Sequence, residues 1–178
     1  MHRLFVALEP PPSVRDALRG AMEGVAGARW QRDDQLHLTL RFIGEVDRHG
    51  AQDIAAALAG VRSAGFELRL AAPGTFDRRG RIDTLWIGVT PADPVAALHR
   101  KVDAALLRVG VPPDGRAFVP HVTIARFGKD GGRAAAAFSG APLSPVAWPV
   151  AGFALYESTL GHDGADYCIV ERYRLAPA

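Results

Sequence analysis

One pattern occurs twice in this chain, as His37-Leu38-Thr39-Leu40 and as His121-Val122-Thr123-Ile124, 84 residues apart. With six histidines and six threonines in 178 residues, chance gives about 0.2 His-x-Thr triplets, so two copies exceed chance about tenfold. Each copy lies in an extended apolar stretch, 36–44 or 119–127, whose alternation predicts a strand with the histidine and threonine on one face. The repeated pattern therefore predicts two similar halves, each with its own His-x-Thr strand.

Apolar spacing predicts the other elements around these two strands. We expect helices over 13–25, 48–61 and 94–109, with Ser13 as the first N-cap, and strands over 4–9, 66–71, 84–89, 146–157 and 167–175. Pro73-Gly74 is predicted to turn the chain, residues 161–164 to join the last two strands, and 133–138 to form a short helix. Together these elements predict a mixed α/β fold of the α+β class.

Length and composition restrict the class of protein. The 178 residues fit a single domain, 1–178, and 48% apolar with 22% charged residues is typical of a folded, water-soluble chain. The net charge of +2 gives no strong overall field for polyanions, so nucleic-acid binding must be local. Cys168 is the only cysteine, which excludes an internal disulfide and a cysteine-based zinc site. No apolar run suits a signal peptide or a membrane span, so we expect a cytoplasmic protein.

The paired histidines and threonines indicate acid–base chemistry on a phosphate. Histidine has an ordinary pKa of about 6.5, so one ring can be neutral and the other protonated near neutral pH. A neutral ring can take a proton from water while a protonated ring gives one to a leaving oxygen, and threonine hydroxyls can donate to phosphate oxygens. The alternative is that each pair is only structural. No His-x-His motif or flanked helical histidine pair supports a metal, so we expect neither metal nor cofactor.

At these residues the sequence resembles the two-histidine (2H) phosphoesterase superfamily, and within it the RNA 2′,3′-cyclic phosphodiesterase branch, also called 2′-5′ RNA ligases. The resemblance covers nearly the whole chain, including 3–8, Trp30, 37–46, 85–89, 120–126, 156–158 and 164–167. It implies a bilobal 2H phosphoesterase fold, in which two pseudo-symmetric, antiparallel-rich sheets with outer helices surround a central cleft. It also implies that His37 and His121 are the catalytic pair and that Thr39 and Thr123 hold the phosphate.

Arg126 matches a basic position of the family, five residues after His121. Simple alternation points its side chain away from His121, so a bulge or a strand end is required for it to bind phosphate. Phe42 and Phe76 are candidates for stacking on a base, and core packing is the alternative. Arg79, between Arg78 and Arg81 in a glycine-containing turn, is a candidate for the RNA backbone, and a solvated loop is the alternative. We expect His2, His49, His99 and His162 at the surface.

The resemblance implies hydrolysis of 2′,3′-cyclic phosphates, on RNA 3′ ends or nucleotides, to 2′-phosphates. It assigns His121 as the base and His37 as the acid. We expect a monomer with no obligate protein partner and no membrane attachment. Three alternatives stay open. They are reversible 2′-5′ joining of tRNA halves, a noncatalytic nucleotide- or RNA-binding module of the same fold, and a phosphodiesterase for another cyclic phosphate.

Overall fold

The structure, a computed structural model, describes residues 1–128, 135, 138, 145–161 and 164–177. Its strands are β1 His2–Leu8, β2 Ala28–Trp30, β3 Leu38–Val46, β4 Phe66–Arg78, β5 Arg81–Thr90, β6 His121–Phe127, β7 Ala147–Val150, β8 Gly152–Gly161 and β9 Gly164–Arg174. Its helices are α1 Pro12–Gly20, α2 Arg48–Ala59 and α3 Ala92–Arg108, with a 3-10 turn at Asp33–Gln35. Apart from 135 and 138, the predicted helix over 133–138 lies outside the described residues, as do His162 and Asp163 of the predicted last turn.

The nine strands form one antiparallel sheet in the order β7-β4-β5-β6-β3-β1-β8-β9, with β2 paired to β6. Two halves of four strands meet where β3 pairs with β6, and the paired residues are Leu38 and Val122. The two His-x-Thr motifs therefore lie side by side at the centre of the sheet. The predicted α+β class and the pseudo-symmetric halves are confirmed, and the two expected sheets are the halves of one continuous sheet.

The three helices cover the outer face of this sheet. Their buried apolar residues share one core with the alternate strand residues that point outward, and this core includes Leu38 and Val122. The helical members are Val14, Leu18, Ile54, Leu58, Val95, Leu98, Val102, Ala105 and Leu106. The opposite face, which carries the histidines and threonines, is left open to form a cleft. No helix in the described part of the chain is long and apolar enough to span a membrane.

The predicted turn at Pro73-Gly74 is wrong, because β4 continues through it as far as Arg78. A register shift between Leu70 and Pro73 places one extra residue on β4, and a bulge of this kind tolerates a proline. The chain turns instead at Arg79-Gly80, where both residues have positive φ, 57° and 74°. Two such residues form the tight turn that matches the twist of a hairpin.

The predicted strand over 146–157 is two strands in different halves of the sheet. β7 pairs with β4, whereas β8 pairs with β1 and β9, so the chain crosses between the halves at Ala151. Both strands are apolar, so the periodicity of the sequence contains no sign of this crossing. Helix α1 also differs from the prediction, because its N-cap is Pro11 rather than Ser13, and Pro12 occupies the first turn, where a missing N–H costs nothing.

Candidate active site

The four motif side chains share one face of the β3–β6 junction. Leu38 and Val122 are fully buried on the outer face, while the flanking histidines and threonines are half-buried on the other. Because the pairing is antiparallel, Thr123 lies opposite His37 and Thr39 lies opposite His121. Strand spacing then separates the two histidines diagonally by ~8 Å between Cα atoms.

Each histidine is oriented by the main-chain carbonyl two residues before it. His37 Nδ1 is 2.7 Å from the Gln35 oxygen, and His121 Nδ1 is 2.6 Å from the Val119 oxygen. A carbonyl oxygen only accepts, so Nδ1 carries the proton in both rings and Nε2 is the free end. In the neutral ring this leaves an Nε2 lone pair available to accept a proton, and in the charged ring an Nε2–H available to donate one.

The ring of His37 lies in an aromatic enclosure. Its centroid is 4.9 Å from that of Phe5, 6.2 Å from that of Tyr156 and 5.2 Å from that of Tyr167. The pKa of His37 is lowered to about 4, chiefly by burial; the hydrogen bond to the Gln35 carbonyl opposes this shift, and the positive charges of Arg126 and His121 add to it. Since those two charges act on His37, the three groups share one electrostatic environment.

His121 lies against two aromatic rings of its own half, with its centroid 4.8 Å from Phe76 and 5.7 Å from Trp86. Burial lowers its pKa, and the charge of Arg126 acts in the same direction. Both histidines are therefore neutral at pH 7 in the free protein, whereas the sequence allowed one to be protonated. A phosphate anion bound between them would raise both pKa values and so favour the uptake of a proton from solvent by one of the rings.

A cleft of about 890 Å³ opens over the junction, and Thr39, His121 and Thr123 line it. Arg126 lines it too, because β6 contains the bulge that the sequence required. The β5–β6 register passes from Leu85↔Ala125 directly to Trp86↔Thr123, so Ile124 is the extra residue. Ile124 and Ala125 are both buried, and the next residue, Arg126, returns to the face of Thr123.

The same bulge recurs in the other half. The β1–β3 register passes from Val6↔Arg41 to Ala7↔Thr39, which leaves Leu40 as the extra residue. Phe42 thereby reaches the cleft face, in the position that Arg126 occupies in β6. Phe42 lines the cleft and is 37% exposed, so this half presents an aromatic ring where the other presents a guanidinium group.

Of the remaining predicted contacts, the two phenylalanines line the cleft and Arg79 does not. Phe76 is half-buried and contacts His121, and the guanidinium of Arg3 lies over the ring of Phe42, 5.3 Å from its centroid. Arg79 lies at the tip of the β4–β5 hairpin and is not among the cleft-lining residues, whereas Arg78 is. Hairpin geometry explains this, because the tip residues project past the end of the sheet.

His99 was predicted to be a surface group, and that prediction is wrong. It lines the cleft from α3, its Nδ1 lies 2.8 Å from the Leu40 oxygen, and its ring stacks on Phe118 at a centroid distance of 4.0 Å. Buried Arg41 was also missed. Its Nε donates a hydrogen bond to Asp103 Oδ1 of α3 at 2.7 Å, and its Nη2 donates one to the Pro112 carbonyl. Arg41 thereby connects β3 to the segment that precedes β6. These contacts join residues far apart in sequence, and no motif marks them.

Thr39, His121, Thr123 and Arg126 therefore line one opening, while His37 lies beside Thr123 on the same face of the sheet and is not among the cleft-lining residues. Such a set can move protons and bind a phosphate. Within the ranges described above, no group of three or more His, Cys, Asp and Glu side chains could hold a metal ion.

A family model for the 2′-5′ RNA ligase superfamily matches residues 10–162. An RNA 2′,3′-cyclic phosphodiesterase of Thermus thermophilus is 34% identical over 186 aligned residues, which cover 97% of this chain and 90% of the relative. One from Aeropyrum pernix is 38% identical over 95 residues, covering 53% of this chain and 54% of the relative. One from Geobacillus stearothermophilus is 38% identical over 54% of this chain and 32% of its own length. The match thus spans about half of the Aeropyrum relative and a third of the Geobacillus relative.

Solved structures are similar over almost the whole chain. A crystal structure of a Thermus thermophilus protein superposes with a TM-score of 0.84 at 30% identity and covers 98% of both chains. A crystal structure of Escherichia coli LigT complexed with 3′-AMP has a TM-score of 0.78 at 26% identity and covers 98% of both chains. The likeness therefore includes both halves of the sheet and the cleft between them.

Proposed function

The chain belongs to the 2′-5′ RNA ligase superfamily, and from that membership we propose that it hydrolyses 2′,3′-cyclic phosphates, on RNA 3′ ends or nucleotides, to 2′-phosphates. One observation carries the proposal: two histidines flank one threonine pair at the sheet junction, each with its Nδ1 bound and its Nε2 free. Names of relatives from several organisms and the 3′-AMP complex of LigT support a nucleotide phosphate as the ligand.

The reaction needs one proton removed and one delivered. His121 Nε2 takes a proton from water, the water oxygen bonds to phosphorus, and the bond from phosphorus to the 3′ oxygen breaks. His37 Nε2–H protonates that departing oxygen, which leaves a 3′-hydroxyl and a 2′-phosphate. Thr39, Thr123 and Arg126 donate to the non-bridging oxygens, where negative charge increases in the transition state.

The different surroundings of the two rings support these roles. His121 lines the open cleft, through which water enters. His37 lies outside the cleft lining, among Phe5, Tyr156 and Tyr167, whose rings reduce its contact with water. Burial holds the pKa of His37 low in the free protein, so the bound phosphate anion must raise that pKa before His37 carries the proton that it donates. No metal or cofactor enters this scheme.

Substrate contacts outside the phosphate follow from the cleft lining. Phe42, with Arg3 on its ring, and Phe76 present aromatic surfaces on which a base can stack. Arg78 is better placed than Arg79 to meet an RNA phosphate inside the cleft. The cytoplasmic location and the monomeric state stay predictions from the sequence.

Two alanine substitutions test the proposal. His37→Ala and His121→Ala should each lower kcat for a 2′,3′-cyclic nucleotide ~10²–10⁴-fold, because a positioned proton transfer usually accelerates a reaction by this factor. His49→Ala is the matched control, because His49 is exposed on α2 and should leave kcat unchanged. Near-normal turnover in either His37→Ala or His121→Ala would refute the assignment.

Product analysis separates this function from its alternatives. The panel contains 2′,3′-cyclic nucleotides, short RNAs with that end group and 2′-5′-linked oligomers, each with and without chelator. We expect 2′-phosphate products that persist with chelator. Joined RNA ends would favour the ligase, and nucleotide binding without turnover would favour the noncatalytic module.

A further inference from the structure

A buried polar side chain lies just before the first motif. Gln35 ends the 3-10 turn Asp33–Gln35 and is only 8% exposed. Burying an amide is costly unless its hydrogen bonds are made, so a glutamine here needs partners. Both of its polar atoms have one.

The Gln35 amide ties its turn to a distant strand. Its Nε2 donates to the Ala165 carbonyl of β9 at 2.9 Å, and its Oε1 accepts from the Arg32 main-chain N–H at 3.0 Å. The first bond holds the 3-10 turn against the β8–β9 hairpin, 130 residues away in the chain. The second lies within the turn, where Arg32 is the N-cap, so Gln35 is bonded both to the hairpin and to its own turn.

The main-chain oxygen of Gln35 is the acceptor for His37 Nδ1–H. We propose that Gln35 is a positioning residue, whose side chain fixes its own carbonyl so that His37 keeps its proton on Nδ1 and turns Nε2 toward the phosphate. This inference rests on the proposed function, since it assigns Gln35 a part in the same reaction. The other half has no equivalent, because the acceptor for His121 belongs to Val119, whose apolar side chain makes no hydrogen bonds.

This asymmetry matches the surroundings of the two histidines. His37 is half-buried between the rings of Phe5 and Tyr167, and the Gln35 carbonyl is the acceptor that fixes its tautomer. His121 lines the open cleft, where water can also orient the ring. A rigid acceptor is therefore needed more by His37 than by His121.

The test compares Gln35→Leu and Gln35→Glu with Asp166→Asn. Leucine removes both side-chain bonds, and glutamate keeps the acceptor for Arg32 N–H but loses the donor to Ala165. Asp166 makes an exposed ion pair with Arg32, 2.6 Å long, between the same turn and the same hairpin, so Asp166→Asn is the matched control. Such surface pairs contribute little to stability.

Two readouts are measured on folded protein, steady-state hydrolysis of a 2′,3′-cyclic nucleotide and the ¹⁵N resonances of the histidine rings. Both Gln35 variants should lower kcat about tenfold or more at nearly constant KM, because the phosphate-binding groups remain in place. The His37 ring should change from the Nδ1–H tautomer to a mixture, while the His121 resonances stay unchanged. Asp166→Asn should change neither readout.

The proposal is overturned if His37 keeps the Nδ1–H tautomer in both Gln35 variants, whatever happens to kcat. It is also overturned if the tautomer changes and kcat does not. Should Gln35→Leu fail to fold, the near-isosteric Gln35→Glu decides the result. If the wild-type protein hydrolyses no cyclic phosphate, the proposed function fails, and the ring resonances still show whether Gln35 controls the His37 tautomer.

Discussion

Gly74→Ala should damage the site although Gly74 is not among the cleft-lining residues. Gly74 of β4 faces Trp86 of β5, and a Cβ added at Gly74 would lie 2.2 Å from two atoms of the indole ring. Ordinary contact begins at about 3.4 Å, so the ring must move by about 1.2 Å. A glycine at such a position in a strand marks a close approach of this kind.

The displaced ring cannot move freely, because its neighbours belong to the site. The Trp86 centroid lies 5.3 Å from that of Phe76 and 5.7 Å from that of His121. Overpacking of this kind costs about 1–3 kcal/mol of stability. A shift of about 1 Å at a reacting group can cost up to about 100-fold in rate, so we expect a loss of roughly 10- to 100-fold in kcat.

The assay combines urea unfolding with hydrolysis of a 2′,3′-cyclic nucleotide. Gly20→Ala is the matched control, because it lies in α1 and a Cβ there meets nothing within 4 Å. Alanine in a helix should change stability by no more than about 1 kcal/mol, in the stabilising direction, and leave kcat unchanged. Wild-type kcat and stability in Gly74→Ala would refute the packing argument.

The pKa of His37 is lowered to about 4, chiefly by burial, so between pH 6.5 and 4 this side chain is protonated more in the unfolded chain than in the folded one. The free energy of unfolding should therefore decrease as the pH is lowered from 6.5 to 4, with about 3 kcal/mol of the decrease due to His37. Urea unfolding at pH 7 and 4.5 should show a smaller difference in His37→Gln than in wild type; equal differences would contradict this. Arg126→Ala should raise KM for a cyclic nucleotide about 10-fold or more, since a charge-assisted contact to phosphate is lost, and an unchanged KM would exclude that contact. Arg41→Met leaves Asp103 and the Pro112 carbonyl without their donor and should cost about 3 kcal/mol in the same unfolding assay; a loss under about 1 kcal/mol would show that the network contributes little. One sheet spans both halves, so wild type should unfold in a single transition by fluorescence and circular dichroism, and two separate transitions would indicate independent halves.

Local sequence was sufficient where the decisive contacts are local. The period-two alternation around His37 and His121 predicts which side chains share a face, and the apolar spacing of 48–61 and 94–109 predicts two of the helices within two residues at each end. Ser13, Pro73 and Gly74 misled the prediction, because an N-cap or a turn residue describes a preference that packing can override. Strand β4 keeps its pairing through Pro73 by a bulge that exists only against β5.

Side-chain alternation within the sequence was enough to identify the candidate groups: two histidines and two threonines on two similar strands, with an arginine five residues beyond the second histidine. Their arrangement depends on tertiary contacts: Leu38 pairs with Val122, and the bulge at Ile124 brings Arg126 to the cleft. His99 and Arg41 line that cleft, and Gln35 donates a hydrogen bond to β9. Side-chain alternation is a property of one strand, whereas register, bulges and buried polar contacts depend on partners far away in the chain.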